Sequence, residues 1–315
     1  MTIGNNEIVI CKPQLLSDYS ITQEQLQNFY NNIDVQEETI KTYKKGINNF
    51  IQWLTDNNTH QVKHQTIVDY KKYLIATFDN TTANTYLSGV RNLFSFFEEY
   101  GIPNPTRNIK SVKISKDFRK LPLTKEQANK IKEYKEQQLN SLKDMRDYAI
   151  YCLLVYNGLR EVELMRANKD DIVYIGGKYV LKVQGKGKLD KTQNAVLTDS
   201  VLIPLLAYLD MRGEDEFESL FIGLASNKYG TRLTTRSIRR IISGLLIANG
   251  YKSKYLTPHS LRHTACTFAL LGGADLQETQ ELARHSDINT TEIYAHNIQR
   301  IDNPPEYYVE KYMNS

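Results

Sequence analysis

The chain has 315 residues and a formal net charge of +4, long enough for two domains with separate cores and basic enough to suit an anionic partner without identifying one. No apolar run approaches the ~20 residues that cross a bilayer, and the start MTIGNNEIVI lacks the basic and apolar pattern of a secretory signal, which argues against a membrane or secreted protein. The three cysteines, Cys11, Cys152 and Cys266, are odd in number and far apart, so they read as reduced, buried thiols in a cytoplasmic setting rather than a disulfide framework.

Residues 1–20 carry no clear period and read as a short arm. From Asp34 the pattern turns helical: Ile40, Tyr43, Ile47, Phe50, Ile51 and Leu54 recur at steps of three and four, with Lys41, Lys44 and Lys45 on the other side. Further helices are predicted over His64–Phe78 and Thr82–Tyr100, the latter with Tyr86, Val90, Leu93 and Phe97 inward. Residues 21–105 therefore form a small all-α domain, closed by the breaker Gly101-Ile102-Pro103-Asn104-Pro105. A basic linker over 106–120 follows, with Arg107, Lys110, Lys113, Lys116, Arg119 and Lys120 against one acid, Asp117. Such a run is either a solvated spacer or a row of cations able to follow a phosphate backbone.

A second domain is predicted over 121–315. Thr124 is placed to cap a helix over 124–139, and a second helix over 141–156 ends at the turn signal Asn157-Gly158. Glu161–Arg166 resumes a helix, which sets Arg160 at a junction. Asp171–Leu197 is the β region: strands over 172–175, 178–184 and 193–197, with a Gly176-Gly177 turn between the first two. Tyr179, Leu181 and Val183 share one face of the middle strand, and Gly185-Lys186-Gly187-Lys188 lies in the turn that follows. After Ile203 the chain is helical again, with Arg236, Arg239 and Arg240 on one helix.

Thr257 and Pro258 then open a helix whose buried stripe is Leu261, Ala265 and Phe268 and whose end is Gly272-Gly273. His259 and Arg262, three apart, share a face in its first turn, near a terminus that favours anions. A helix over Asp275–Arg284 leads into His285, and Asn289 with Glu292 marks the start of a short helix carrying Tyr294. Residues 304–313, after Pro304-Pro305, form a last amphipathic helix.

The spacing His259-x-x-Arg262, then His285, then Tyr294 nine residues later resembles the C-terminal signature of the tyrosine recombinase (phage integrase) family. Asn157-Gly158-Leu159-Arg160-Glu161-Val162-Glu163-Leu164 is similar to that family's TGLR-x-x-E-L box, with Asn157 for Thr, and Arg284 stands where many members have Gly. The resemblance implies a mainly α chain: an N-terminal helical-bundle (SAM-like) core-binding domain, then a mostly helical, mixed α/β catalytic domain with a small three-stranded antiparallel sheet. It also implies that the two domains clamp duplex DNA. Arg160 and Arg262 would hold the phosphate, with Glu163 orienting. Lys186 would protonate the leaving 5′-oxygen, with Lys188 and Lys191 as rivals in the long turn. His259 would act as base and then acid, His285 would hydrogen-bond the phosphate, and Tyr294 would be the nucleophile.

Tyrosine suits that task because the phosphoryl group stays an ester on a phenol that both attacks and leaves. No cofactor or metal is required. The implied partner is double-stranded DNA with paired recombination sites, bound by a homotetramer that is monomeric in solution, with no membrane involved. The last helix would dock on a neighbouring subunit or cap its own domain. Integration or excision of a mobile element is the expected role, with Xer-like plasmid or chromosome dimer resolution as the alternative. Other readings account for some of the residues. His259 and His263 are spaced as a zinc pair but lack a third ligand and sit beside Arg262. A type IB topoisomerase uses similar chemistry, and a DNA-binding relative that has lost catalysis would keep the fold.

Overall fold

The computed structural model describes residues 22–114, 121–185, 190–253, 255–285, 291 and 306–314. The chain divides into two compact units near residue 115. The expected arm, residues 115–120 of the basic linker and Cys11 lie outside the described residues, whereas Cys152 and Cys266 are buried and form no disulfide.

The first unit is all helical. α1 (Gln23–Asn32) starts at a capping box in which the Thr22 hydroxyl accepts from the Gln25 backbone and the Gln25 side chain accepts from that of Thr22. This helix was not resolved as a separate element in the sequence pattern, because its apolar set (Leu26, Phe29, Tyr30) spans barely one turn. α2 (Glu37–Asp56), α3 (His64–Thr77) and α4 (Asn80–Glu98) match the three predicted helices to within a few residues at each end. Phe50, Leu54, Ile67, Tyr70, Leu74, Leu87, Val90 and Phe94 form one buried cluster, and Phe29, Ile47, Leu93 and Phe97 form another. The Tyr70 hydroxyl donates to Asn49 Oδ1 (2.9 Å), so its burial leaves no polar atom stranded.

Two facing glycines set how closely α2 and α4 approach. A Cβ at Gly46 would stand 2.8 Å from Tyr86 Cα, and one at Gly89 would stand 3.2 Å from Tyr43 Cα.

The stretch after the Pro103–Pro105 break is bound to this unit rather than free. Asn84 makes a reciprocal pair with Val112, donating to its carbonyl (2.8 Å) and accepting from its N–H (2.7 Å). Arg91 donates to Ser111 Oγ (3.0 Å) and to the Ile109 carbonyl, and Asn80 donates to the Lys113 carbonyl (2.9 Å). Ile109 and Val112 pack on the core, and Arg107 pairs with Glu98. The charge count concealed this strap, since its two apolar anchors are interleaved with the cations. Lys110 and Lys113 remain exposed.

The second unit is built around α6 (Leu142–Asn157), which is buried on nearly every side. α5 (Lys125–Glu136), capped by Thr124 and Gln127, lies beside it. The turn after α6 leads to the short α7 (Glu161–Arg166). β1 (Ile172–Ile175), β2 (Lys178–Val183) and β3 (Gln193–Val196) form an antiparallel sheet in the order β1-β2-β3, with Val173 opposite Val180 and Val183 opposite Gln193. Leu181 and Val183 face the core, while Tyr179 is exposed at the hairpin end, edge to face with Tyr174. α8 (Asp199–Arg212) begins four residues before the helical pattern became plain at Ile203. α9 (Thr235–Ala248), α10 (Pro258–Leu271), α11 (Leu276–Ala283) and α12 (Glu306–Met313) complete the unit as described. Among the described residues no helix is long and apolar enough to cross a membrane.

The glycine contact between α2 and α4 is directly testable. Gly46→Val should force the helices apart and cost about 1–3 kcal/mol, the usual penalty of overpacking. Trp53 is the only tryptophan and packs in this unit, so urea unfolding of the full chain followed by its fluorescence isolates the effect. An unchanged midpoint would mean that the close approach is not a constraint.

Candidate active site

The site is assembled at the turn between α6 and α7. Gly158 ends α6 in the left-handed region (φ +56°), and a Cβ there would meet Ala265 Cβ of α10 at 3.2 Å. Only glycine meets both demands, the backbone angle and the close approach. The turn delivers Arg160 to the N-cap of α7 in extended conformation. Glu163, one turn on, accepts from the Arg160 backbone N–H (2.8 Å) and from Arg160 Nη1 (2.7 Å). Its carboxylate is wholly buried, so Arg160 is held by both its backbone and its side chain.

α10 supplies the second arginine. Pro258 occupies its first position and the Thr257 N–H donates to Ser260 Oγ (3.0 Å), which fixes the first turn. Leu261 and Ala265 are buried as expected, and Phe268 is partly so. Arg262 is 2% exposed; its Nη1 donates to the Gly158 carbonyl (2.5 Å) and its Nη2 to the Ala283 carbonyl. His259 is exposed on the same helix, its ring edge to face with that of His263 at 4.7 Å. Among the described residues no group of three His, Cys, Asp or Glu side chains is placed to hold a metal ion.

α11, capped by Asp275 and Glu278, ends at Arg284 in the left-handed conformation (φ +55°). For a residue with a Cβ this costs about 1–2 kcal/mol. Here the side chain turns inward to Glu163 Oε2 (3.2 Å) and to the carbonyls of Asn157 (3.1 Å) and Gly158 (3.2 Å). The Arg284 carbonyl accepts from Arg160 Nη2 (3.2 Å). His285 follows directly, with Nδ1 2.9 Å from the Thr291 hydroxyl. Arg160, Glu163, Arg262 and His285 are thus brought together by the fold, and Arg284 and Thr291 join them. The sequence reading had not placed either of these two in the site. The one signal available was an arginine in a glycine's place.

Lys186, Lys188 and Tyr294 lie outside the described residues, as do Asn289 and Glu292. The third lysine of the turn, Lys191, is ion-paired to the buried Asp171. On α9, Arg236, Arg239 and Arg240 are exposed, and Arg239 Nε pairs with Glu161 (2.6 Å).

Arg160 and Arg284 pair with the one carboxylate and Arg262 is bound to the same turn, leaving an excess of two positive charges (+3 − 1). Burial, and then the charge of Arg160, pushes Arg262 down to about 10, where it is still protonated at neutral pH. Burial and then the charges of Arg262 and Arg160 push His285 down to about 3, so its imidazole is neutral. A cluster of fixed N–H donors with excess positive charge and a neutral imidazole is suited to an oxyanion, and a phosphate best matches two planar guanidiniums.

Comparison with known proteins carries this further. Residues 122–300 match the phage integrase family, and residues 26–100 match the N-terminal SAM-like domain of phage integrases. The chain belongs to the phage integrase family. It is a site-specific recombinase of the tyrosine type. It is 31% identical over 289 residues to the tyrosine recombinase XerC of Thermodesulfovibrio yellowstonii, covering 87% of this chain and 92% of that one. It is 29% identical over 278 residues to the tyrosine recombinase XerD of Oceanobacillus iheyensis, covering 83% and 88%. Its fold is similar to that of the XerH recombinase in a post-cleavage complex with palindromic difH substrate (TM-score 0.71, 18% identity, 93% of this chain and 85% of that one). The same holds for a lambda integrase dimer bound to a COC′ core site (TM-score 0.63, 16% identity, 85% and 94%).

The buried imidazoles make the recombinase's stability depend on pH. Burial, His259 and Arg262 push His263 down to about 4, as the site pushes His285 to about 3, whereas the unfolded chain takes up these protons near 6.5. Their contribution is therefore complete above pH 6.5 and is lost as the pH falls toward the folded values. The melting temperature should drop between pH 6.5 and 5, above the range in which ordinary carboxylates titrate, and His263→Gln should flatten the profile. The same slope in that variant would rule His263 out as a source.

Proposed function

We propose that the recombinase cuts duplex DNA by attack of the Tyr294 hydroxyl oxygen on a phosphodiester. The phosphorus–O5′ bond breaks, leaving a 3′-phosphotyrosyl link and a free 5′-hydroxyl, and the reverse step reseals a strand. The convergence of Arg160, Arg262 and His285 on one turn, braced by buried Glu163, is the observation that carries this reading. Arg160 and Arg262 clamp the non-bridging oxygens as charge develops there. His285 takes part as a neutral imidazole that hydrogen-bonds the phosphate, its ring oriented by the contact of Nδ1 with the Thr291 hydroxyl. His259 takes the tyrosine proton and later returns it, and Lys186 supplies the proton that O5′ needs on leaving. Lys110 and Lys113 on the strap and the arginines of α9 contact the DNA backbone.

Integration or excision of a mobile element is the role we favour. The similarity to XerC and XerD along most of both chains supports a second reading, resolution of plasmid or chromosome dimers.

In the synapse the recombinase acts as a tetramer assembled from monomers. The apolar side chains of α12 support this: Tyr307 and Val309 are each 63% exposed and Met313 is 78% exposed. The same unit carries an apolar groove of about 760 Å³ lined by Leu123, Ala128, Tyr151, Val155 and Phe268, which suits an amphipathic helix of a neighbouring copy.

Sites would be recovered by sequencing host DNA trapped covalently on the protein, then rebuilt as nicked duplexes. On these, Tyr294→Phe should bind normally and form no covalent complex; phosphate transfer to another tyrosine would overturn the assignment. Lys186→Ala should slow cleavage ~10²–10⁴-fold. Sulfur at the bridging 5′ position leaves without a proton and should restore the rate of that variant but not that of Arg160→Ala or Arg262→Ala. Rescue of Lys188→Ala instead would move the donor by two residues.

Removing residues 304–315 should leave binding to a single site nearly intact and weaken synapsis in a gel-shift assay. Loss of single-site binding, or unfolding, would favour a tail that caps its own domain.

A further inference from the structure

The two arginines paired with Glu163 are not equivalent. The Arg160 side chain is 26% exposed, on the open side of the carboxylate, whereas that of Arg284 is 4% exposed and approaches from the buried side. Arg284 Nη1 donates to the Leu282 carbonyl (2.7 Å), and Nη2 is shared among the Asn157 and Gly158 carbonyls and Glu163. Its Nε is buried with no hydrogen-bond partner among the described residues. A left-handed backbone and a stranded Nε both argue against an arginine at this position, and the buried carboxylate of Glu163 is what holds it there.

We propose that Arg284 is a positioning residue for strand cleavage. It neutralises Glu163 from behind, so that the charges of Arg160 and Arg262 stay available to the scissile phosphate, and it ties the segment bearing His285 to the α6–α7 turn. The charge count gives the reason. With Arg284 the cluster carries +2, matching a phosphorane that approaches two negative charges. Without it, Glu163 cancels one of the two phosphate-facing arginines, and the cluster carries +1 (two arginines less one carboxylate). Arg160, which donates to Glu163 by both backbone and side chain, would be drawn more tightly onto the carboxylate. This proposal rests on the reading in which Arg160 and Arg262 hold the phosphate.

The test uses Arg284→Gly, which suits the left-handed backbone and so removes the side chain without straining the chain. Nicked duplexes carrying the trapped site are made with either an ordinary phosphodiester or a neutral methylphosphonate at the cleavage position. Arg284→Gly should slow cleavage of the phosphodiester roughly 10- to 100-fold, less than the ~10²–10³ of a donor that touches the reacting group. The methylphosphonate, which develops one charge fewer, should be slowed much less. Adding Glu163→Gln to Arg284→Gly returns the count to +2 and should recover part of the lost rate.

Equal slowing on both substrates with no recovery in the double variant would reduce Arg284 to a structural tie and overturn the proposal, as would an unchanged rate. If Arg284→Gly does not fold, as judged by its melting curve, Arg284→Lys and Arg284→Gln are compared on the same two duplexes. Lys should keep the preference for the charged substrate and Gln should lose it; equal behaviour of the two would also overturn the proposal. Arg262→Ala is run alongside. If it cleaves the phosphodiester at the wild-type rate, the assignment of the phosphate clamp is what has failed, whatever the Arg284 variants do.

Discussion

Buried inside a basic site, the Glu163 carboxylate has to be matched by donors on every side, and most of the local architecture follows from that requirement. It accepts from the Arg160 backbone, the Arg160 guanidinium and Arg284. Breaking a buried pair by removing one member commonly costs 3–5 kcal/mol, because the charge left behind has no water to turn to. The same constraint positions the functional groups: holding the carboxylate fixes Arg160, and holding Arg284 fixes the residue that precedes His285. Backbone carbonyls complete the arrangement. Gly158 accepts from both Arg262 and Arg284, so three separate helices are joined at one turn.

That turn is where it is because of packing at some distance from the chemistry. α6 is buried along most of its length and so cannot shift without disturbing the core of the second unit. Its end is pressed against Ala265 of α10 through a glycine that leaves no room for a Cβ. α10 therefore sets the depth of Arg262 and the outward direction of His259 with a single contact. Thr264 on the same helix accepts from the Leu123 N–H (2.8 Å), which ties the start of this unit to the same frame. A phosphate-binding group gains from such rigidity, since donors fixed in advance need no reorganisation when charge develops.

The first unit solves a different problem. Its helices pack through aromatic side chains and a pair of facing glycines, while the cations stay on the outside. The strap after Pro105 continues that division. Asn84, Arg91 and Asn80 satisfy its backbone, and Lys110 and Lys113 are left in solvent. An extended segment without strand partners needs such side-chain partners, or its buried carbonyls and N–H groups would be left unpaired.

The amino-acid sequence by itself determined the elements and the chemical kind of site. Apolar periods placed the long helices, Gly176-Gly177 placed the hairpin, and Gly158 marked the end of α6, because each of these signals acts over a few neighbouring residues. The three-residue step from His259 to Arg262 falls within one helical turn whatever lies elsewhere, and the step from Arg160 to Glu163 is the local spacing of a helix cap. What only the tertiary structure decided is what those side chains meet. Arg262 reaches the Ala283 carbonyl 21 residues on, and Arg262 and Arg284 both close on Gly158, more than a hundred residues away. The burial that turns Arg284 from an odd substitute for glycine into the partner of Glu163 comes from that long-range closure. So does the capture of Lys191 by Asp171, and so does the pinning of the strap by Asn84 and Arg91. Each depends on which surfaces come to share a space, and spacing along a chain does not specify that.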